Sequence, residues 1–121
     1  MYILTMRINI KKKGTAILIS FDTKPEKFES ASERNRFFWE LHGRKQTVTK
    51  NSGTYKYYRE GLLDVIPHIK VDNSVFIIAM QHLKEMMEFF EEWEDKLELK
   101  TFPVLLDNKD LKKLEREVEI E

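Results

Sequence analysis

The chain has 121 residues, with 21 Lys plus Arg against 21 Asp plus Glu, and this zero net charge excludes a generally basic nucleic-acid coat. Charged residues make up 35% of the sequence, which is more than the average of ~25% and is typical of the ion-pair surface of a thermophile's protein. The sequence has no Cys, which excludes disulfides and thiolate metal sites and favours the cytoplasm, and no apolar run approaches the ~18 residues of a membrane span.

The first predicted elements are two strands. From Tyr2 to Ile10 every second residue is apolar, and the residues between them are Ile3, Thr5, Arg7 and Asn9. This alternation predicts an extra strand in an N-terminal arm of residues 1–14, with Met6 as an alternative start. Residues 15–22 are almost wholly apolar, as expected of a central strand.

The first predicted helix runs from Ala31 to about His42. Ser30 and Glu33 have the spacing of a capping box. Gly43 occupies the position where helices often end in a left-handed residue.

A β-hairpin is predicted over residues 44–60, because two β-prone runs flank Asn51-Ser52-Gly53. Gly61 and Pro67 predict irregular chain up to residue 68. Residues 69–80 then form a second apolar strand core.

The second long helix is predicted over residues 81–96, where apolar residues recur at spacings of three and four. In the following strand, residues 99–106, Pro103 removes a ladder donor, so this strand is expected at an edge or with a bulge. Asp107 or Asn108 can cap a C-terminal helix within residues 107–121.

This order of elements predicts one α+β domain over residues 1–121. After the N-terminal strand it follows the ferredoxin-like split βαβ pattern, with a hairpin inserted after the first helix. An antiparallel sheet backed by helices in another order is the alternative.

Asp22 is the candidate carboxylate for chemistry. It ends an apolar strand, where it could hold Mg²⁺ together with water and phosphate oxygens. A turn-forming Asp that accepts bonds from the following amides is the more common alternative. His42, His68 and His82 do not show metal-ligand spacing.

The basic residues are concentrated around the predicted hairpin, interleaved with tyrosines, whereas acidic residues are concentrated in residues 85–98 and at the C-terminus. Arginines and aromatic rings can hold phosphates and stack on bases, so the segregation predicts a DNA or RNA partner. A solvated edge hairpin is an equally weighted alternative. The candidate contacts are Arg34, Arg36, Arg44, Lys45, Tyr55, Tyr57 and Arg59.

Short motifs also carry a family resemblance. ILISFD at residues 17–22 ends in Asp, RNRFFWELHG at residues 34–43 ends in Gly, and NSVFII occupies residues 73–78. With the helix and strand that follow, these motifs resemble the small CRISPR-associated protein Cas-two and its relative, virulence-associated protein D. The chain departs from that group in having Phe21 before the Asp, the long segment 44–72, and the N-terminal arm.

The resemblance implies a symmetric homodimer. It also implies either Mg²⁺-dependent phosphodiester cleavage, with Asp22 of each protomer facing its mate as the metal carboxylate, or a DNA-holding scaffold. Arg34 or Arg36 would contact phosphates. The alternative function is a non-enzymatic, ferredoxin-like module for protein interaction or regulation.

Overall fold

The structure, a computed structural model, describes residues 15–115. The predicted N-terminal strand and the end of the predicted C-terminal helix lie outside these residues. The described chain forms two compact units, one from residues 15–24 and 67–115 and the other from Pro25–Ile66. Within residues 15–115, no helix is long and apolar enough to cross a membrane.

The described residues form an α+β structure of six strands and four α-helices. Short 3₁₀ turns occur at Pro25–Lys27, Met80–His82 and Glu94–Lys96. The main elements are β1 (Thr15–Thr23), α1 (Ala31–His42), β2 (Arg44–Lys50), β3 (Gly53–Arg59), α2 (Leu62–Val65), β4 (His68–Asp72), β5 (Val75–Ala79), α3 (Leu83–Glu91), β6 (Leu97–Leu105) and α4 (Asn108–Glu115).

The first unit contains a four-stranded sheet in the order β4-β5-β1-β6, in which every neighbouring pair is antiparallel. The order is compatible with a ferredoxin-like arrangement. As predicted, the strand with Pro103 lies at an edge of the sheet, where it pairs with β1 and aligns Pro103 with Ile17. A missing ladder donor is tolerated there.

The predicted single strand over residues 69–80 was wrong, because this segment is the hairpin β4–β5. Asp72 and Val75 are paired across a two-residue turn, and the Asp72 carboxylate accepts a 2.7 Å hydrogen bond from the Asn73 N–H. Asp, Asn and Ser favour turns because their side chains bond nearby backbone. This local preference reverses the chain despite the apolar residues on both sides.

Phenylalanine rings fill the core face of this sheet. Phe21, Phe76 and Phe90 are almost fully buried, and the ring of Phe90 lies 5.6 Å from that of Phe21 and 6.5 Å from that of Phe76. The helix that supplies Phe90, α3, is shorter than the predicted 81–96. The Trp93 N–H donates to Phe90 O at 3.0 Å, which tightens the chain into a 3₁₀ turn, and Leu97 begins β6 instead of extending the helix.

Helix α4 contributes to a cluster on the opposite face of the sheet. Ala16, Leu106 and Leu114 form its buried centre. Of the two predicted caps, Asp107 is the one used, since its carboxylate accepts a 2.9 Å bond from the Asp110 N–H.

In the second unit, α1 has the predicted bounds. The Ser30 side chain accepts from the Glu33 N–H at 3.1 Å, as expected, but the Glu33 carboxylate accepts from Glu29 N at 2.7 Å, one residue before the cap. Gly43 has φ 84° and ψ 172°, so its φ is positive but its ψ is extended rather than left-handed helical. Phe37 and Leu41 are the buried residues of this helix.

The predicted irregular chain before residue 68 was also wrong, since it contains the short helix α2. Gly61 precedes this helix, and Asp64 lies in its first turn, where the carboxylate accepts a 2.8 Å bond from the Gly61 N–H. An acidic residue there is favourable because the first amides of a helix are otherwise unbonded.

Candidate nucleic-acid interface

Residues 44–59 form the two-stranded antiparallel sheet β2–β3. Its register runs from the pair Arg44–Arg59 at the base to the pair Lys50–Gly53 beside the turn. Directly opposed residues in an antiparallel pair point to the same side of the sheet. The register therefore divides the side chains of the hairpin into two faces.

One face combines aromatic rings, cations and a hydrogen-bonding amide, and we call it the Tyr57 face. Tyr55 and Tyr57 are 40% and 47% exposed. The sequence from residue 44 to residue 59 contains five basic residues and no acidic residue. The members of the Tyr57 face are Arg44, Gln46, Val48, Lys50, Tyr55, Tyr57 and Arg59.

Two arginines lie directly opposite each other at the base of the Tyr57 face. The guanidinium of Arg44 stacks on the Trp39 ring, 3.8 Å from its centroid. The Arg59 Nε donates to the Gln46 side-chain oxygen at 2.8 Å, which uses one of the five donors of that guanidinium. Both cations are thus held in place by neighbouring side chains.

Nearer the turn, the Tyr55 ring is positioned by its neighbours. Its hydroxyl lies 2.9 Å from the Ser52 hydroxyl, and the Lys50 ammonium lies 5.9 Å from the ring centroid. A groove of about 450 Å³ lies along the hairpin. It is lined by Val48, Lys50, Tyr57, Tyr58 and Arg59.

The base of the hairpin is joined to α1 and α2 by a set of contacts that we call the hairpin root. The Tyr58 hydroxyl donates to the Asp64 carboxylate at 2.6 Å and lies 3.3 Å from His42 O. The hydrogen bond to Asp64, then desolvation and the charges of Asp64 and Glu60, raise the pKa of Tyr58 above its ordinary 10.0. Gly43 lies beside the same Tyr58 hydroxyl and Asp64 carboxylate.

The remaining predicted contacts do not lie on the Tyr57 face. Lys45 points to the opposite side of the hairpin, paired with Tyr58. Arg36 forms a 3.6 Å ion pair with Glu40. Arg36 also precedes Trp39 by three residues, so Arg36 and Trp39 are neighbours on the surface of α1. The Arg34 guanidinium lies 5.4 Å from the Phe38 ring centroid.

Asp22 is exposed and lies within β1, one residue before its end. The Lys24 N–H at the end of the strand donates to Lys96 O at 2.8 Å. The cross-strand partner of Asp22 is Glu98, which the sequence did not identify, because the pairing joins residues far apart in the chain. Side chains of such a pair lie on one face of the sheet, so the two carboxylates are neighbours.

Trp39 and Gln46 are further site residues that sequence reasoning missed. No local pattern distinguishes Trp39 from the other aromatic residues of α1, and its partly exposed ring is the platform for Arg44. Gln46 became relevant only through the register, which places it between Arg44 and Val48 on the Tyr57 face. Alternation counted back from Tyr57 through the turn would have selected Thr47 and Lys45 instead, so no local signal in the sequence identified Gln46.

Within residues 15–115, no group of three or more His, Asp or Glu side chains is placed to hold a metal ion. Comparisons of the chain with protein-family models, curated proteins and solved structures find no match.

Proposed function

We propose that this protein binds nucleic acid through the Tyr57 face. The observation that carries the proposal is the cross-strand pair Arg44–Arg59 beside Tyr57. Like charges placed directly opposite destabilise a strand pair. A phosphate between the two guanidinium groups would turn that repulsion into charge-assisted hydrogen bonds.

The surroundings of the pair support the same ligand. Arginine binds phosphate through a planar fork of donors, and stacking on Trp39 orients the Arg44 fork. The exposed ring of Tyr57 lies on the same face, where it can stack on a base while the arginines contact the backbone. The absence of acidic residues from residue 44 to residue 59 leaves this charge uncompensated within the hairpin.

The test is a titration of labelled DNA and RNA at two salt concentrations. Binding led by phosphate contacts weakens as salt rises, and removing one contact lowers the slope of log K against log salt by about 1. Arg59→Ala should therefore bind more weakly and show the smaller slope.

Lys56→Ala is the matched control, because Lys56 lies on the same strand but on the opposite face. It removes the same charge and should leave the slope nearly unchanged. If no nucleic acid binds at low salt, or if Arg59→Ala and Lys56→Ala weaken binding equally, the proposal is wrong.

A finer part of the proposal concerns fold and assembly. We propose a ferredoxin-like split βαβ fold, similar to Cas-two, in which β2–β3 is the insertion and two copies pair through β6 and α4. In support, β6 is at the edge of the sheet formed by residues 15–115, and Phe102 on it is 50% exposed. An unpaired edge can be covered by a second copy. Light scattering across protein concentration tests the assembly, and a monomer at high concentration contradicts it.

Catalysis is a separate proposal. Mg²⁺ is commonly held by one or two carboxylates, with water and phosphate oxygens completing its shell. Asp22 and Glu98, exposed neighbours on adjacent strands, fit that donor set. Bound Mg²⁺ would supply charge stabilisation for phosphodiester cleavage. Nuclease assays with and without Mg²⁺ on the native protein and Asp22→Ala decide the matter, and equal cleavage by both proteins rules out this site.

A protein-interaction module is the second candidate function, because Trp, Tyr and Arg are also the residues that dominate protein interfaces. Trp39, Tyr57 and Arg59 would then be the contacts. This candidate is favoured if the low-salt titration finds no nucleic-acid binding.

A further inference from the structure

We infer that the Tyr57 face binds single-stranded rather than duplex nucleic acid, with separated bases on Tyr55 and Tyr57. This inference rests on the proposed function and specifies its ligand. It depends on the spacing of the two rings, on what surrounds them and on the shape of the hairpin.

Ring spacing favours a stretched strand. Tyr55 and Tyr57 are alternate residues of β3 on one face, and alternate residues of a strand are about 6.7 Å apart. Stacked bases of one strand in a duplex follow each other at about 3.4 Å. Two rings at twice that interval can each stack on a base only when the bases are unstacked from one another.

The cations beside the Tyr55 and Tyr57 rings are placed to contact a nucleic-acid backbone that runs along the hairpin. Arg59 lies beyond Tyr57 on β3, and Lys50 lies beside Tyr55 near the turn. The groove that contains Tyr57 also includes Lys50 and Arg59 among its lining residues. A single strand laid in this groove has a base over the Tyr57 ring and phosphates near Lys50 and Arg59, which is the usual arrangement of single-strand binding surfaces.

The rival ligand is a duplex, because a two-stranded β-ribbon can enter the major groove. Such a ribbon distinguishes bases through side chains that hydrogen-bond to base edges. At the centre of the Tyr57 face two of the four side chains are aromatic rings, since the opposed pairs there are Val48–Tyr55 and Gln46–Tyr57. A closed base stack presents no ring faces to the two tyrosines, so their exposed surface would remain unused.

The experiment compares four ligands of about twelve nucleotides, a length within the site sizes of single-strand binders. They are a single-stranded oligodeoxynucleotide, the oligoribonucleotide of the same sequence, the matching duplex, and an abasic strand of equal length. Fluorescence anisotropy at fixed low salt gives the dissociation constants. The two single strands distinguish DNA from RNA as the source of the bases.

We expect the better single strand to bind at least ~10-fold more tightly than the duplex or the abasic strand. Loss of one base–aromatic stack corresponds to roughly a 5- to 150-fold weakening. Tyr57→Ala should therefore weaken single-strand binding within that range and leave duplex binding nearly unchanged. Tyr57→Phe retains the ring and should stay within about twofold of the native protein, since stacking needs only the π face.

Each contrary outcome has a separate meaning. A duplex or abasic strand that binds as tightly as the single strand overturns the inference but leaves the proposed function standing. Equal weakening of single strand and duplex by Tyr57→Ala has the same consequence. No binding of any of the four ligands overturns both.

Discussion

Gly61→Ala is expected to destabilise the protein through steric contact alone. A Cβ on Gly61 would meet three backbone atoms at the end of α1: Gly43 N, His42 C at 2.6 Å and Leu41 C at 2.7 Å. Backbone atoms cannot move away by changing rotamer. The φ of Gly61 is −99°, which alanine adopts without strain.

The magnitude follows from two opposing effects. Forcing an extra methyl group into a packed contact costs about 1–3 kcal/mol, whereas replacing Gly by Ala stabilises by about 0.4–1 kcal/mol through the unfolded chain. The net loss should be about 1–2 kcal/mol, which lowers Tm by roughly 4–8 °C at this chain length.

Gly43→Ala should cost more than Gly61→Ala. With φ 84° and ψ 172°, Gly43 has a conformation that is essentially restricted to glycine and costs alanine about 1–3 kcal/mol. The added Cβ would also meet the Tyr58 hydroxyl, the Asp64 carboxylate and Arg59 O, and would therefore disturb the hydrogen bond of the hairpin root.

Thermal and urea unfolding followed by circular dichroism measure these losses. Gly53→Ala is the control, because a Cβ at Gly53 meets nothing within 4 Å, so that only the backbone cost of its φ of 152° remains. If the free energy of unfolding of Gly61→Ala is within about 0.5 kcal/mol of that of the native protein, the usual range for a neutral surface change, then Gly61 does not approach the end of α1 this closely.

The remaining predictions concern pH, the core and the sheet surface. Because the pKa of Tyr58 is raised in the folded state, the contribution of Tyr58 to stability is fully present below pH ~10 and is lost as pH rises through the folded pKa. The unfolding midpoints of the native protein and Tyr58→Phe should therefore converge at alkaline pH. A difference between the two midpoints that stays constant with pH would contradict this. Phe90→Ala removes a side chain that is 2% exposed and should lower the free energy of unfolding in urea by about 3–5 kcal/mol. Phe89 is only partly buried, so a larger loss in Phe89→Ala than in Phe90→Ala would contradict the placement of Phe90 in the core. Glu98→Lys should stabilise by about 0.2–1 kcal/mol, since it replaces the like-charge pair with Asp22 by an opposite-charge pair; an unchanged urea midpoint would count against that pairing.

Local chemistry made part of the fold predictable. The Ser30 cap and the bounds of α1 depend on residues within a few positions of one another, and both were confirmed. The pairing of β2 with β3 around Asn51 is equally local. The predicted length of α3, which ends at Glu91, was too great. Trp93 and Leu97 continue the helical spacing of buried residues, although Trp93 precedes a 3₁₀ turn and Leu97 begins a strand. Apolar periodicity records burial and does not by itself distinguish these backbones.

The candidate site was only partly predictable for a different reason. Tyr55, Tyr57 and Arg59 could be assigned to one face by alternation, but the assignment of Arg44 to that face, and of Lys45 to the other, depended on the register. The bond between Tyr58 and Asp64 joins a strand to a helix that the sequence did not predict. Pairings of this kind depend on the three-dimensional path of the chain, which no local pattern specifies.

Among the described residues, β2 and β3 pair only with each other, and this has a consequence for the dynamics of the hairpin. An isolated pair of strands is marginally stable in water, so opening from the Asn51 end should need far less free energy than global unfolding. Amide hydrogens near the turn should accordingly exchange much faster than those of β1. A ligand that spans the hairpin would suppress this opening, so that part of its binding free energy is spent on ordering the strands.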